Sequence, residues 1–169
     1  LEQLSSVDNQ GFRRLPMSSS PEIFDNSIKA WFKDMTNYDL SLMKFAFKAA
    51  YEMATALKLN DEAVHWEKVG KQLPAFDLDE AGSLTFAKGF PYNESHRHFS
   101  HAMAIHPLGL LDYSQGEESQ QIINATLKRM QEVGPDWWCG YSYSWFGNMK
   151  ARAFDGEGAA QALKTFAEC

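Results

Sequence analysis

At 169 residues the chain is long enough to bury a core and short enough for one domain, and 44% hydrophobic with 22% charged residues is an ordinary globular composition. A net charge of -6, with Lys and Arg dispersed rather than clustered, excludes nucleic-acid binding through the phosphate backbone. No apolar run approaches the roughly 18 to 20 residues that a membrane-spanning helix needs.

Residues Leu1 to Ser20 are polar and broken by Gly11 and Pro16, so they form an irregular leading segment, with helical hairpins expected over 21–169. The chain opens on Leu1 without a signal-peptide pattern, so its natural beginning is expected upstream. From Thr36 the pattern turns helical. Leu40, Met43, Phe47, Ala50, Tyr51, Ala54 and Leu57 recur at three- and four-residue steps, which predicts one long helix capped by Thr36 or Asn37. A second helix is predicted from Asp61 to about Gln72, with Ala63, Trp66, Val69 and Leu73 inward, completing a hairpin.

Leu73 to Tyr92 reads as a long connection punctuated by Pro74, Gly82, Gly89 and Pro91, with extended backbone at Ser83–Phe86. A short helix is predicted over Phe99–Leu111, and another from Glu117 to Val133, stopped by Gly134-Pro135. A third pair begins near Ser142, turns at Asp155-Gly156 and runs on through Ala159, Ala162, Leu163 and Phe166. The fold class is therefore all-α, antiparallel helical hairpins stacked as a solenoid or as an arc of an (α/α) toroid. No fixed-period repeat supports the solenoid. The last helix reaches Cys169 without a Gly or Pro stop, which is how a fragment would look. Cys139 and Cys169 have no metal-site spacing and are too few for a disulfide framework.

Three segments carry candidate chemistry. Met17-Ser18-Ser19-Ser20-Pro21-Glu22 suits an ordinary helix N-terminus, where an acid complements the dipole, or else supplies the carboxylic acid of a glycosidase. Glu94-Ser95-His96-Arg97-His98-Phe99-Ser100-His101 holds three of the five histidines. It could form a metal site, with His98 and His101 on one helix face and His96 two residues upstream, a cationic wall for sugar hydroxyls, or a buried network that includes His101 and His106. Trp137 to Trp145 keeps no single helical period, so its aromatics fit the rim of a sugar pocket as well as they fit loop packing.

Taken in order, these segments resemble glycoside hydrolase family 95, the inverting α-L-fucosidases and their α-L-galactosidase relatives. Ser20-Pro21-Glu22 resembles the family's Ser-Pro-Glu motif, and His96-Arg97-His98-Phe99-Ser100-His101 its His-Arg-His-x-Ser-His signature. Gly140-Tyr141-Ser142-Tyr143-Ser144-Trp145, followed by Asn148, Ala151-Arg152 and Asp155-Gly156, is similar to a Gly-Trp-Ser-x-Ala-Trp helix start, with Tyr141 in place of Trp. The sequence departs from the family where Ile23-Phe24-Asp25-Asn26 follows the acid motif and where Leu84-Thr85-Phe86-Ala87 precedes the histidines.

The resemblance implies Glu22 as general acid, with Arg97, His98, His96, Tyr141 and Trp145 binding the sugar, and it implies neither metal nor cofactor. It also implies that the hairpins are part of an (α/α)6 toroidal catalytic domain, and it implies a carbohydrate substrate and a secreted or periplasmic enzyme. The family's general-base Asp and its two water-positioning Asn residues have no counterpart in this sequence. The isolated chain is accordingly expected to be nearly inactive and to associate with itself or with the rest of its parent domain. The acid role asks for a raised Glu22 pKa, for which partial burial near Phe24 is the expected cause. Alternatives are another toroid enzyme, a phosphorylase or lyase, a metalloenzyme, and a non-catalytic helical interaction module.

Overall fold

The structure, a computed structural model, describes residues 1–168; Cys169 lies outside them. Five α-helices carry the fold: α1 (Asn37–Ala56), α2 (Asn60–Lys71), α3 (Glu117–Val133), α4 (Gly140–Arg152) and α5 (Gly156–Glu168). The only sheet among the described residues is a two-stranded antiparallel ribbon in the leading segment, Ser6–Val7 against Arg13–Arg14. Helical hairpins begin at Asn37 rather than at residue 21, since residues 22–30 make only short 3-10 turns.

Thr36 caps α1, its hydroxyl accepting from the Asp39 N–H at 3.2 Å, and Leu40, Met43, Phe47 and Ala54 are buried as the periodicity predicts. Tyr51 and Leu57 are exposed instead: Val69 and Leu73 of the α2 side pack against Leu40, Met43 and Phe47. Helix α3 begins and ends at the predicted residues, with Glu117 and Glu118 in its first turn and Gly134 stopping it at φ 86°. Helix α4 starts two residues before the predicted Ser142, because the Ser142 hydroxyl accepts from the Cys139 N–H and closes the first turn there. Gly147 lets α5 approach closely: a Cβ at that position would stand 3.3 Å from the Ala162 Cβ.

The expected helix over Phe99–Leu111 is absent. Only Ser100–Ala102 form a 3-10 turn, because Pro107 has no N–H to donate and disfavours the helical conformation at His106, while Gly109 turns left-handed at φ 60°. The middle hairpin is thus a structured loop packed on α3, and the paired hairpins are α1 with α2 and α4 with α5.

Loops here are as buried as helices. Leu84, Ala87, Tyr92, Phe99, Ala102, Ala104 and Ile105 are fully buried, and most of them share one core with Ile123, Met130 and Met149. The backbone groups such loops bring inside need partners. Asn37, fully buried at the start of α1, supplies three: its amide donates to the Asp77 and Thr85 carbonyls, both at 2.8 Å, and its side-chain oxygen accepts from the Asp77 N–H at 3.0 Å. Thr126 of α3 accepts from the Leu84 N–H at 3.0 Å. Residues 83–86 are held in place by these contacts, and the extended pairing is a single bridge between Leu78 and Leu84.

Candidate active site

The Ser-Pro-Glu segment is held by its serines, not by a helix. Ser18 pairs with Phe32 through the backbone, and its side-chain oxygen meets Thr36, Asp39 and the Thr36 N–H. The buried Ser20 hydroxyl lies 2.6 Å from that of Ser100, fastening this segment to the histidine loop. The backbone then turns left-handed at Glu22 (φ 56°), Phe24 (φ 47°), Asp25 (φ 52°) and Asn26 (φ 55°). Such conformations are costly for residues with a Cβ and concentrate at functional sites. Glu22 makes no side-chain cap, which removes the helix-terminus reading.

The Glu22 carboxylate crosses instead to the histidine loop. It accepts from the Arg97 guanidinium and from His98 Nε2, the latter at 2.8 Å. The Tyr141 hydroxyl lies against the same ring, 3.1 Å from Nδ1 and 3.2 Å from Nε2. His96 sits behind this pair. Its Nδ1 accepts from the His98 N–H at 3.1 Å, which leaves the proton on Nε2, directed at the Glu22 carbonyl 3.3 Å away. Ser142 Oγ donates to the Arg97 carbonyl at 2.8 Å and ties α4 to the loop.

Glu22, His96, Arg97, His98 and Tyr141 therefore meet in one hydrogen-bonded cluster although they come from three separate segments. Trp145 does not join it. Its indole N–H donates to the His106 carbonyl at 2.9 Å and its ring packs on Phe99. The other aromatics divide similarly: Trp138 packs on Phe99 and Phe146, while Trp137 is exposed.

The electrostatics reverse one expectation. Glu22 is well exposed rather than sheltered by Phe24, and the hydrogen bonds from His98 first and Arg97 second hold its carboxyl below the ordinary glutamate range. Arg97 is raised in return. Partial burial, with the neighbouring Cys139 thiol, pushes the Tyr141 phenol up to about 12, so it remains a donor.

His101 is fully buried with neither ring nitrogen hydrogen-bonded; it stacks on Tyr92 at 4.8 Å and lies beside Phe86 at 4.9 Å. The expected histidine network is thus an aromatic stack at His101, and His106 likewise leaves Nδ1 unpartnered. Among the described residues no three His, Cys, Asp or Glu side chains group as metal ligands, since His98 points at Glu22 and His101 into the core. Sequence reasoning missed Tyr92, whose buried hydroxyl accepts from the His96 N–H and from the Trp138 indole. Its position four residues before His96 was the only available signal.

No helix among the described residues is long and apolar enough to cross a membrane. A search of the curated proteins finds no match. The family model described as the glycosyl hydrolase family 95 catalytic domain matches residues 1–168, the span that includes the Ser-Pro-Glu turn, the histidine loop and the start of α4. The chain belongs to glycoside hydrolase family 95, and its helices are part of that family's toroidal, carbohydrate-cleaving catalytic domain.

Proposed function

We propose that these residues supply the proton donor and hydroxyl-binding wall of an enzyme outside the cytoplasm that hydrolyses terminal α-linked L-fucose or L-galactose with inversion. The observation that carries this reading is the meeting of Glu22 with Arg97, His98 and Tyr141, a carboxyl group ringed by donors suited to sugar hydroxyls. In the free state the same donors keep Glu22 ionised, the wrong form for a general acid. A bound sugar corrects this in two ways: its hydroxyls compete for Arg97 and His98, and its bulk removes water from an exposed carboxyl. Both changes raise the pKa of Glu22 toward that of a proton donor.

Inversion also needs a base carboxylate about 6.5 to 9.5 Å from the acid, with a water between them. No other carboxylate is hydrogen-bonded into the cluster among the described residues, so the base is assigned to the remainder of the catalytic domain. That remainder would also cover the apolar side chains exposed here, notably Ile28 (85%), Phe154 (74%) and Trp137 (69%). The isolated chain should then be nearly inert and should self-associate; a strictly monomeric chain at high concentration in sedimentation would overturn the shared-edge reading.

Glu22→Gln in the complete catalytic domain tests the acid role. It should lower kcat on a natural fucoside by about 10²- to 10⁴-fold while sparing an aryl glycoside whose leaving group departs without a proton. Equal losses on both substrates would remove Glu22 from that role. A second reading is favoured by the ion pair itself: Glu22 as a tether between its turn and the histidine loop. Under it Glu22→Gln lowers stability and leaves turnover of both substrates alone.

A further inference from the structure

From Pro91 to His98 the chain makes no backbone–backbone hydrogen bond among the described residues, so side chains rather than backbone pairing shape the segment that carries His96, Arg97 and His98. Ordering such a loop costs conformational entropy at every residue, which contacts of fixed geometry must offset. Tyr92 supplies several of them. It is fully buried near the head of the segment, its ring stacked on His101 at 4.8 Å and lying beside Phe86 at 5.9 Å. Its backbone is tied to α3, where Arg129 Nε donates to the Tyr92 carbonyl at 3.0 Å and the same guanidinium donates to the Asn93 side chain.

The core thereby fixes the position of the Tyr92 hydroxyl. A hydroxyl has one proton to donate and two lone pairs with which to accept, and this one uses all three. It accepts from the His96 N–H at 3.1 Å and from the Trp138 indole N–H at 3.3 Å, and it donates to the His96 carbonyl at 3.3 Å. Both backbone groups of His96 are held on one buried atom. From there the path to Glu22 is short: His96 Nδ1 accepts from the His98 N–H at 3.1 Å, and the His98 ring and the Arg97 guanidinium meet the Glu22 carboxylate. The entry to α4 refers to the same atom through Trp138, and Ser142 in the first turn of that helix donates to the Arg97 carbonyl.

We infer that Tyr92 is a positioning residue, whose hydroxyl sets the curve of the His96–His98 segment and so aims His98 and Arg97 at Glu22; its effect on turnover rests on the acid role proposed above. Without the hydroxyl the His96 N–H has no partner in the core and must turn toward water, which draws its Nδ1 away from the His98 N–H. The titratable and charged groups along this path are His96, His101 and Arg129 around Tyr92, and Arg97 and His98 at Glu22, with Tyr141 against the His98 ring. Arg97 and His98 are the groups that hydrogen-bond the carboxylate, so loosening them shows in its titration.

The test uses the complete catalytic domain with two variants. Tyr92→Phe keeps the ring in its stack and removes only the hydroxyl, while Thr126→Val removes another buried hydroxyl of the same core, the one that accepts from the Leu84 N–H. The Glu22 carboxyl is followed by carbon-13 NMR, its signal assigned by its absence in Glu22→Gln. In Tyr92→Phe it should titrate at higher pH than in the wild type, and KM should rise about three- to tenfold on a natural and an aryl fucoside alike. Thr126→Val should lower stability and move neither. An unchanged Glu22 titration in Tyr92→Phe, or the same shift in Thr126→Val, would overturn the inference and leave Tyr92 a core residue only. If Tyr92→Phe does not fold, hydrogen exchange in the wild type decides: the His96 amide should exchange as slowly as the amides of buried α1, and exchange at the rate of an exposed loop overturns the role. A Glu22 titration that moves in Tyr92→Phe while the basic limb of kcat/KM stays in place supports the positioning role and removes Glu22 from the acid role.

Discussion

Lowering the pH from 7 to 5 should destabilise the chain through His101, the residue that closes the histidine motif. Its imidazole is fully buried between Tyr92 and Phe86, with both nitrogens unpartnered. Burial first, and the nearby His96 second, depress its pKa from 6.5 to about 3. The unfolded chain therefore takes up a proton below pH 6.5 that the folded chain refuses until about pH 3. Stability is complete above 6.5 and falls as the pH drops through that window.

Each pH unit in the window costs about 1.4 kcal/mol, so the loss is about 2 kcal/mol at pH 5 and on the order of 5 kcal/mol near pH 3. That is a large share of the roughly 5 to 15 kcal/mol of a typical domain. Urea unfolding at pH 7 and pH 5, for the wild type and for His101→Phe, isolates the contribution. The substitution keeps an aromatic ring in the stack and removes the titration, so it should abolish about 2 kcal/mol of the pH-dependent loss whatever it does to absolute stability. Identical losses in the two proteins, or a His101 ring that titrates near 6.5 in the folded state, would refute the reasoning.

In the complete domain, Arg97→Ala should raise KM about ten- to a hundredfold on natural and activated substrates alike, because it deletes hydroxyl donors and leaves the acid in place. A general acid loses activity as pH rises through its pKa, and His98 and Arg97 hold Glu22 low in the free state. The basic limb of kcat/KM should therefore fall at lower pH than that of kcat, and Arg97→Ala should move the former upward; pH–rate profiles on a natural fucoside check both. Gly147→Val should cost about 1 to 3 kcal/mol in urea unfolding, since its first side-chain carbon already meets Ala162 at 3.3 Å and the two further methyls add to the crowding.

The sequence alone determined the five helices and their order, because hydrophobic period and end signals act over one or two turns. Thr36 before α1, Gly134 after α3 and the Asp155-Gly156 turn before α5 work through nearby backbone, where sequence reasoning is strongest. The Pro107 that prevents a helix over Phe99–Leu111 is an equally local signal, inside an apolar run that packs as buried loop. The motifs are legible as residues, and their order resembles that of the family. Tertiary structure decided what each residue does. Whether a histidine binds sugar, bonds the backbone or sits unpartnered in a core depends on what faces it from distant segments: Glu22 and Tyr141 for His98, the Glu22 carbonyl for His96, Tyr92 and Phe86 for His101. The charge on Glu22 followed the same rule, because a pKa answers to the nearest donors in space, and these lie 75 and 76 residues further along the chain.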